Sequence, residues 1–334
     1  MISVVMATYN GEKYIEKQLE SILNQSLIPD EVIIRDDGSS DATVQLVKDF
    51  IQKNKLSTWN IEVNDRNLGY KKNFANLLSL AKGDYIFLSD QDDEWISDKI
   101  DKMVAIFKDN KAIQALNGGV RLIDANSNKV EIVNRKNVYN ANFYFSKKPV
   151  VRLNEVPLAS LIISNVTPGC AMAITKELRD TFISSYEGTF PHDWYLNMLA
   201  AYNGGCYFLN EEVISYRIHE NNASSPTAAT GILSKLQKFN QEKKRRMERM
   251  HSQVAIVPNI ENSLGKINSE SSLAYNFVKA RLAFYERPNL RNLIAMRKYD
   301  DYKDRTVLKG EIWDLILAFK VDKLIYLFGN INGE

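Results

Sequence analysis

Cysteine and histidine are scarce in this chain, whose 334 residues include two cysteines, Cys170 and Cys206, and three histidines. Two cysteines are too few for a disulfide framework or for a zinc site built from thiolates. We interpret both as small buried thiols of a protein from a reducing compartment. This composition predicts a cytoplasmic location.

Long apolar runs are absent as well. A helix that spans a bilayer needs about 18 or more consecutive apolar residues. The nearest stretch, at 312–328, reads IWDLILAFKVDKLIYLF and is interrupted by four charged residues. The first residues, MISVVMATYNGEKY, lack the basic region and the long apolar core of a secretory signal. We therefore predict no membrane span, and a strand in place of a signal peptide.

An excess of charge of either sign is also missing, because 43 basic residues face 41 acidic ones for a net charge of +2. This balance gives no support for a nucleic-acid partner, and we predict none. The first strand leads into ATYNGEKY without a G-x-G-x-x-G fingerprint, which disfavours a dinucleotide-dependent oxidoreductase, and the chain has no Walker P-loop. Nucleotidyl transfer stays open, since it too uses paired carboxylates and Mg²⁺.

What the chain does contain is an alternation of short β-rich runs with helical patterns, from its start to about residue 124. Such alternation is typical of βαβ units on a mainly parallel sheet. The helix after the second strand is predicted to begin at Asp41 as its N-cap. The predicted strands are ISVVMA (2–7), EVIIRD (31–36), WNIEVN (59–64) and DYIFLS (84–89).

Beyond this region the pattern indicates a second part of the chain. Strand-like runs at 167–175 and 204–219 complete the first domain, and the Ser/Ala/Thr-rich stretch 221–231 suits a linker. After the linker the pattern is purely helical. We predict a catalytic domain at 1–225 and a helical C-terminal region at 226–334.

The stretch LSDQDDEW, at 88–95, places three carboxylates directly after the apolar run of the fourth strand. Like charges packed this closely repel one another unless a cation is shared among them. Asp90 and Asp92, two residues apart, can point to one side and hold a hard divalent cation such as Mg²⁺ or Mn²⁺. The alternative is a solvated acidic turn. Open α/β sheets bind ligands at the carboxyl ends of their strands, and this position favours the metal site.

Two neighbouring strands end in polar residues as well. The second strand leads into IIRDDGSSDAT, in which Asp36 and Asp37 are followed by a turn. A carboxylate here could accept a hydrogen bond from the N–H of a pyrimidine ring. The first strand ends in small and polar groups, Thr8, Tyr9 and Asn10, that suit the wall of a base pocket. Three strand ends are therefore predicted to converge on one crevice.

These segments resemble, in the right order, the successive blocks of family-2 glycosyltransferases of GT-A fold. The blocks read VVMATYNGEKYIEKQLESILNQSL, DEVIIRDDGSSDAT, NLGYKKNFANLL, GDYIFLSDQDDEW and FPHDWYLNMLA. The resemblance covers about residues 1–220. It implies an α/β fold with a GT-A type, Rossmann-like mixed and mainly parallel sheet flanked by helices, with a helical C-terminal extension. The SDQDDEW form is similar to bacterial rhamnosyltransferases of surface-polysaccharide synthesis.

The resemblance implies a metal-dependent, inverting hexosyltransferase with Mn²⁺ or Mg²⁺ as its cofactor. It would move a sugar, rhamnose as the favoured choice, from a nucleoside-diphosphate donor to a saccharide or lipid-linked acceptor. Asp92 would be the direct metal ligand, and Asp90 would assist through ribose or water. Asp37 matches the residue that reads the base, and Thr8 and Tyr9 match the lining of its pocket.

Inverting transfer also requires a base for the acceptor hydroxyl, and the resemblance places it at Asp193 in PHDWYLN. Many relatives carry Glu-Asp where this chain has His192 and Asp193. A helix N-cap is the alternative role for Asp193, since aspartate is a favoured cap. Trp194 could stack on a sugar ring or fill the core, and core filling is the commoner role.

Three more residues complete the predicted site. Lys71 or Lys72 reaches the base or the diphosphate by resemblance, and we take Lys72 as the site residue. Arg217, in SYRIHENNAS, suits the diphosphate because a guanidinium makes paired hydrogen bonds to phosphate oxygens. His219 is either a metal ligand, as in similar enzymes, or an ordinary loop histidine.

The C-terminal region suggests how the protein could reach a lipid-linked acceptor. Residues 235–250 hold seven Lys or Arg against two Glu, and residues 312–328 mix apolar with charged side chains. Both could lie on an anionic membrane surface, at the inner face of the plasma membrane, although most charge runs are solvated helix faces. A homodimer is a further hypothesis. The competing function is a non-catalytic sugar-nucleotide-binding or scaffolding subunit of a glycan assembly complex.

Overall fold

The computed structural model describes residues 1–219 and 232–320, with side chains from 241 onward in the second range apart from residue 309. The chain divides into two compact units, Met1–Asn222 and Ala223–Glu334. The predicted linker at 221–231, part of the basic segment at 235–250 and the end of the segment at 312–328 lie outside the described residues or side chains.

The first unit is built on one mixed sheet with strand order β3-β2-β1-β4-β10-β6-β11-β5, and β9 pairs with β11. The strands of this sheet are β1 (Ile2–Thr8), β2 (Glu31–Asp36), β3 (Trp59–Val63), β4 (Tyr85–Ser89), β5 (Glu94–Trp95), β6 (Ala115–Ile123), β9 (Leu153–Glu155), β10 (Met172–Thr175) and β11 (Cys206–Arg217). A two-stranded sheet, β7 (Val138–Tyr139) with β8 (Tyr144–Phe145), lies apart from it.

The predicted βαβ half is confirmed. Strands β1, β2, β3 and β4 are parallel, and the register places Val4 of β1 opposite Val32 of β2 and Phe87 of β4. All three side chains are buried, as continuous apolar strands covered on both faces should be. Because parallel strands end at one edge, the polar residues after β1, β2 and β4 are brought to the same side of the sheet.

Helices cover the sheet of the first unit. Ile15, Leu19 and Ile22 recur at helical spacing and are fully buried against it. The helix after β2 begins at Thr43 with Ala42 in the cap position, so the N-cap predicted at Asp41 is wrong. These helices are α1 (Ile15–Leu23), α2 (Thr43–Lys53), α3 (Tyr70–Leu80), α4 (Lys99–Asp109), α5 (Leu158–Ile163), α6 (Lys176–Ser185) and α7 (His192–Tyr202), with a 3₁₀ turn at Gly169–Ala171.

Two later strands make the sheet mixed. β10 enters antiparallel between β4 and β6, while β11 runs parallel to β6. The two-residue strand β5 then pairs antiparallel with β11, setting Glu94 opposite Ser215. This pairing brings the acidic stretch after β4 beside the end of β11, where Arg217 and His219 lie.

The second unit is helical in its described part. Its helices are α8 (Ile232–Leu264), α9 (Ser269–Glu286), α10 (Leu290–Arg297), α11 (Asp300–Arg305) and α12 (Leu308–Ala318). Phe277 of α9 and Met296 of α10 are fully buried in its core. Within the described ranges, none of the helices combines the length and apolar character that a membrane crossing requires. The α/β fold with a helical C-terminal region is confirmed.

Candidate active site

The ends of β1 and β2 are joined through buried polar groups. The Thr8 hydroxyl donates to Asp36 Oδ2 at 2.7 Å, and the Thr8 carbonyl accepts from the Asp37 backbone N–H at 2.8 Å. Asp36 also accepts from the backbone N–H groups of Gly38 and Ser39. Thr8 is 2% exposed, so it acts here as support for the crevice rather than as its open wall.

Asp37 is buried and holds the loop before α3. Its carboxylate accepts from the backbone N–H groups of Leu68 (2.7 Å) and Gly69 (2.8 Å), and from the side-chain amide of Asn64 (2.9 Å). Gly69 has φ +76°, a conformation that glycine adopts without strain. Asp37 therefore has protein partners at the position where the sequence predicts recognition of a base.

Gln91 links the acidic turn to the end of β1. Its side-chain amide accepts from the Tyr9 N–H at 2.7 Å and donates to the Tyr9 carbonyl at 2.9 Å. A side chain at Gly11 would begin 2.3 Å from Gln91 Oε1, so it would displace the Gln91 amide from its present position. Asn10, at φ +48°, bonds the loop after β2 through Ser40. Tyr9 is 49% exposed and is the open wall of the crevice.

The structure pairs two of the three predicted metal ligands. His219 Nε2 lies 2.8 Å from Asp92 Oδ2, and their side chains are 16% and 21% exposed. A ligand can therefore reach this pair from solvent. Carboxylate oxygen and imidazole nitrogen are both suitable ligands for Mn²⁺.

The third predicted ligand, Asp90, lies in a different group. Possible metal-ligating atoms of Asp90, Asp93 and Cys170 lie within 4.8 Å of one another. Among the described residues, this is the one cluster of three such side chains. Asp90, Asp92 and His219 therefore do not share one compact set. Burial is the main cause that raises the pKa of the Cys170 thiol well above its ordinary value, and the charges of Asp93 and Asp90 add to the rise. A thiol held neutral is a poor cation ligand.

Charge crowding is visible in this acidic turn. Burial, and next the charge of Asp92, raises the pKa of Asp90 to about 7. The same two causes raise the pKa of Asp93 well above its usual range. Asp93 is fully buried, and one of its carboxylate oxygens has no hydrogen-bond donor among the described residues. Groups in this condition are stabilised by a nearby cation.

Lys99 is a cation that sequence reasoning missed. Its side chain is fully buried on the first turn of α4, donates to the Cys170 carbonyl at 2.7 Å and lies 3.7 Å from the centre of the Trp95 ring. Burial lowers the pKa of Lys99 to about 7, against the opposing effect of Cys170, Asp93 and Asp90. This lysine therefore offsets only part of the negative charge around it.

Arg217 does not have the environment predicted for it. The guanidinium is fully buried, and its Nε donates to the Asp92 carbonyl at 2.7 Å. Nη1 donates to the Asp124 carbonyl at 2.8 Å, and Nη2 pairs with Glu94 Oε1 at 2.5 Å. A diphosphate needs hydrogen-bond donors at an accessible surface. The buried Arg217 guanidinium bonds other protein groups instead, so the contact with the diphosphate that we expected for it is not what the structure has.

The predicted base lies on the first turn of α7. Pro191 occupies the cap position of this helix, so the alternative role of Asp193 as N-cap is wrong. Asp193 Oδ2 accepts from the Asn165 side-chain amide at 2.8 Å. Burial raises the pKa of Asp193 to about 6, and hydrogen bonds from the Trp194 backbone and from Asn165 act against that rise. A carboxylate with this pKa is ionised near neutral pH yet accepts a proton readily.

A chain of asparagines supports Asp193. Asn165 accepts from Asn197 at 3.0 Å, and Asn197 in turn accepts from Asn117 of β6 at 2.8 Å. Asn117 and Asn197 are fully buried. The amide orientation of Asn165 is thus fixed from the sheet outward, which leaves its N–H group pointing at the carboxylate.

His192, the residue before Asp193, packs among aromatic rings. His192 stacks on Phe74 with ring centres 4.0 Å apart, and the Tyr70 ring lies edge-on at 6.1 Å. Burial lowers the pKa of His192 to about 3, so it is neutral, and neither ring nitrogen has a hydrogen-bond partner among the described residues. Trp194 is 6% exposed and donates to the Leu161 carbonyl, which gives it the core role.

Tyr70 is the exposed member of this group, at 53%. Burial of its hydroxyl, followed by the charges of Asp193 and Asp90, raises its pKa. Asp193, the predicted base, and Asp90, of the predicted metal site, therefore both act electrostatically on the Tyr70 hydroxyl. The sequence offers no signal for this residue beyond its place beside Gly69 in the NLGYKKNF block.

The two lysines after Tyr70 approach the loop before α7. Lys71 Nζ donates to the Thr189 carbonyl at 2.7 Å, whereas Lys72 is exposed and its aliphatic part lies near Gly188. The structure thus leaves Lys72, rather than Lys71, as the lysine whose charged end faces solvent beside the site.

Comparison with known proteins identifies the family. The family model for glycosyl transferase family 2 matches residues 3–161. The dTDP-rhamnosyl transferase RfbG of Shigella flexneri is 31% identical over 235 residues, which are 65% of this chain and 72% of that protein. The chain belongs to glycosyl transferase family 2. The predicted family resemblance is confirmed.

Solved structures agree on the fold. Staphylococcus aureus TarS 1–349, in complex with UDP-GlcNAc, matches with a TM-score of 0.56 at 21% identity, over 89% of this chain and 79% of that one. The mannosyltransferase PcManGT from Pyrobaculum calidifontis, in complex with GDP-Man and Mn²⁺, matches with a TM-score of 0.52 at 15% identity, over 97% and 86%. At these identities the likeness establishes a shared architecture, here the GT-A type.

Proposed function

We propose that this family-2 glycosyltransferase transfers a hexose from a nucleoside-diphosphate donor to a saccharide or lipid-linked acceptor with inversion. The observation that carries the proposal is the placement of two carboxylate groups with different surroundings at one edge of the sheet. The acidic turn after β4 is crowded with carboxylates, whereas Asp193 lies on the first turn of α7 and accepts a hydrogen bond from Asn165. Rhamnose is the favoured sugar, because the Shigella relative is named a dTDP-rhamnosyl transferase.

The acidic turn fits a divalent cation, Mn²⁺ or Mg²⁺. Asp92 and His219 would hold it at the accessible edge, and Asp90, the first residue of the motif, would assist through ribose or water. When bound, such an ion offsets the negative charge that develops on a departing diphosphate. The raised pKa of Asp90 and the undonated oxygen of Asp93 support this assignment, because both indicate negative charge without enough positive charge nearby.

The nucleotide would lie across the ends of β1 and β2. Tyr9 provides an exposed ring for the base, and Asn10 and the Thr8–Asp36 pair fix the backbone beside it. Asp37 would accept a hydrogen bond from the base. Its Oδ2, which accepts from the Gly69 N–H, can accept a further hydrogen bond. Lys72 would meet the phosphates from solvent.

Asp193 would accept the proton of the attacking acceptor hydroxyl. In a single displacement this base must stand on the face of the sugar opposite the leaving diphosphate. Asn165 holds the carboxylate in place. The pKa of about 6 leaves the group ionised at neutral pH.

A thermal-shift screen against UDP-, GDP- and dTDP-sugars, with and without Mn²⁺, tests the donor and the cation. Stabilisation by one nucleotide class that requires Mn²⁺ and disappears in Asp92→Asn supports the proposal. Asp193→Asn should keep the donor stabilisation and lose transfer. If Asp193→Asn transfers sugar at the wild-type rate, the base assignment is wrong. If the wild type binds donor but transfers nothing, the chain is a binding subunit.

Peripheral contact with an anionic membrane forms the second part of the proposal. Four exposed apolar side chains follow one another at helical spacing along α12 and its C-cap, namely Leu308, Ile312, Leu315 and Phe319. Flotation with anionic vesicles should carry the wild type and not Ile312→Glu, with Asp300→Glu as the control. Sedimentation of the free protein separates this result from a homodimer formed through the same stripe.

A further inference from the structure

Arg217 makes more polar contacts than a surface arginine would. It is the last residue of β11, and its side chain is fully buried. Its Nε donates to the Asp92 carbonyl at 2.7 Å, and its own backbone N–H donates to Asp93 Oδ1 at 2.9 Å. Nη2 pairs with Glu94 Oε1 at 2.5 Å. Three successive residues of the acidic turn thus bond to one arginine.

The remaining donor reaches a second loop. Nη1 donates to the Asp124 carbonyl at 2.8 Å and to the Ser127 hydroxyl at 3.2 Å, both just beyond β6. Ser127 also donates to Glu94 at 2.5 Å. The guanidinium therefore joins the acidic turn to the end of β6, and its planar fork fixes the angle between them.

His219 acts on the same turn from the same segment. Arg217 bonds the backbone carbonyl of Asp92, and His219, two residues later, bonds its carboxylate at 2.8 Å. The buried ring of Tyr14 packs over both, 4.6 Å from the guanidinium and 5.2 Å from the imidazole. The main chain and the side chain of Asp92 are thereby both held in place.

We propose that Arg217 is a positioning residue that holds the acidic turn in the conformation that binds a divalent cation. Like-charged Asp90, Asp92 and Asp93 would otherwise spread the turn apart. A buried guanidinium that bonds both this turn and the neighbouring loop opposes that spreading through both its charge and its bond geometry. The inference deepens the proposed function and rests on its cation.

The test is Mn²⁺ affinity, measured by electron paramagnetic resonance on the full chain with Mn²⁺ alone. Arg217→Lys keeps the charge and loses the fork, so we expect Mn²⁺ to bind at least about tenfold more weakly, as losses of supporting partners around a metal usually do. The signal reports the ion bound to folded protein. Because binding is measured well below the unfolding temperature, a change in global stability does not alter the measured Kd. Unfolding midpoints recorded in parallel verify that each variant is folded.

Arg121→Lys is the matched control. Arg121 also donates to β11, through Ser215 at 2.6 Å, and its ion-pair partner is Glu212 of the same strand. We expect its Mn²⁺ affinity to stay within about twofold of the wild type, since no partner of the turn is lost. Folded Arg217→Lys with wild-type affinity overturns the inference.

A second variant decides the case in which Arg217→Lys does not fold. Glu94→Gln removes one charge partner of Arg217 at a position that is 29% exposed, so the fold should tolerate it. The expected result is about threefold weaker Mn²⁺ binding, because one charged contact of the network is lost. Unchanged affinity in this variant overturns the inference. A wild-type protein that binds no Mn²⁺ refutes the proposed cation itself, whereas a wild type that binds with insensitive variants refutes only the role of Arg217.

Discussion

Replacing Asn165 with leucine should shift the pH at which the enzyme becomes active. The Asn165 amide donates to Asp193 Oδ2 at 2.8 Å and so favours the ionised carboxylate. Leucine has nearly the same shape but no donor. Without this bond the pKa of Asp193 should rise from its value of about 6, since burial then acts with less opposition.

The size of the shift follows from the energy of the bond. A hydrogen bond to a charged group contributes about 1.5–3 kcal/mol, and one pKa unit corresponds to about 1.4 kcal/mol, so the rise should be about one to two units. At pH 6.5 the ionised fraction of Asp193 would fall about three- to twenty-five-fold in the variant, and kcat/KM should fall with it. Above about pH 9 the two proteins should converge.

The assay is the pH profile of kcat/KM with the donor found in the binding screen. Saturating Mn²⁺ keeps Asp90 ionised, because a bound cation lowers the pKa of a neighbouring carboxyl. The remaining titration then belongs to Asp193. Asn154→Leu is the control, since Asn154 donates to the backbone carbonyls of Val151 and Phe208. A profile for Asn165→Leu that is lower by one factor at every pH, with its midpoint unmoved, would refute the reasoning.

Two further predictions concern the walls of the same pocket. Gly169→Ala places a carbon 2.9 Å from Asp193 Cβ, so the carboxylate must move. We expect denaturant titration to show a loss of about 1–3 kcal/mol in unfolding free energy. The fall in kcat should be larger than the change in donor Kd. Tyr70→Phe removes a hydroxyl whose pKa is raised by burial and by the charges of Asp193 and Asp90, and should lower kcat by about tenfold while nucleotide affinity stays constant. Equal effects of Tyr70→Phe on kcat and on nucleotide Kd would place that hydroxyl at the nucleotide instead.

The strand ends of this site were predictable because each follows a buried apolar run. EVIIRD is β2 with the predicted bounds, and YIFLS is β4 within one residue of them. Period and flanking residues suffice for such strands, because parallel strands covered on both faces are apolar throughout. Once these strands are in place, Asp36 and Asp90 must lie at the same edge.

The role of Arg217 was not predictable in the same way. An arginine before a polar loop is usually exposed, and sequence alone gives no reason to bury it. Its burial depends on β5, a two-residue strand that pairs with β11 at Ser215, far along the chain. Such short antiparallel pairings leave no periodic signal. The same holds for Lys99, whose partner Cys170 comes from the 3₁₀ turn before β10.

The two acidic parts of the site differ in what surrounds them, and this difference is what separates their proposed roles. At Asp92, Arg217 donates to the backbone carbonyl and His219 lies 2.8 Å from the carboxylate, so the crowded acidic turn is held in place. Around Asp193 the neighbour that could have carried charge, His192, is buried, stacked on Phe74 and neutral, with a pKa of about 3. A carboxylate in place of His192 would raise the pKa of Asp193 further. A neutral aromatic neighbour therefore keeps this carboxylate able to exchange a proton near pH 6, while the turn after β4 is organised to hold positive charge.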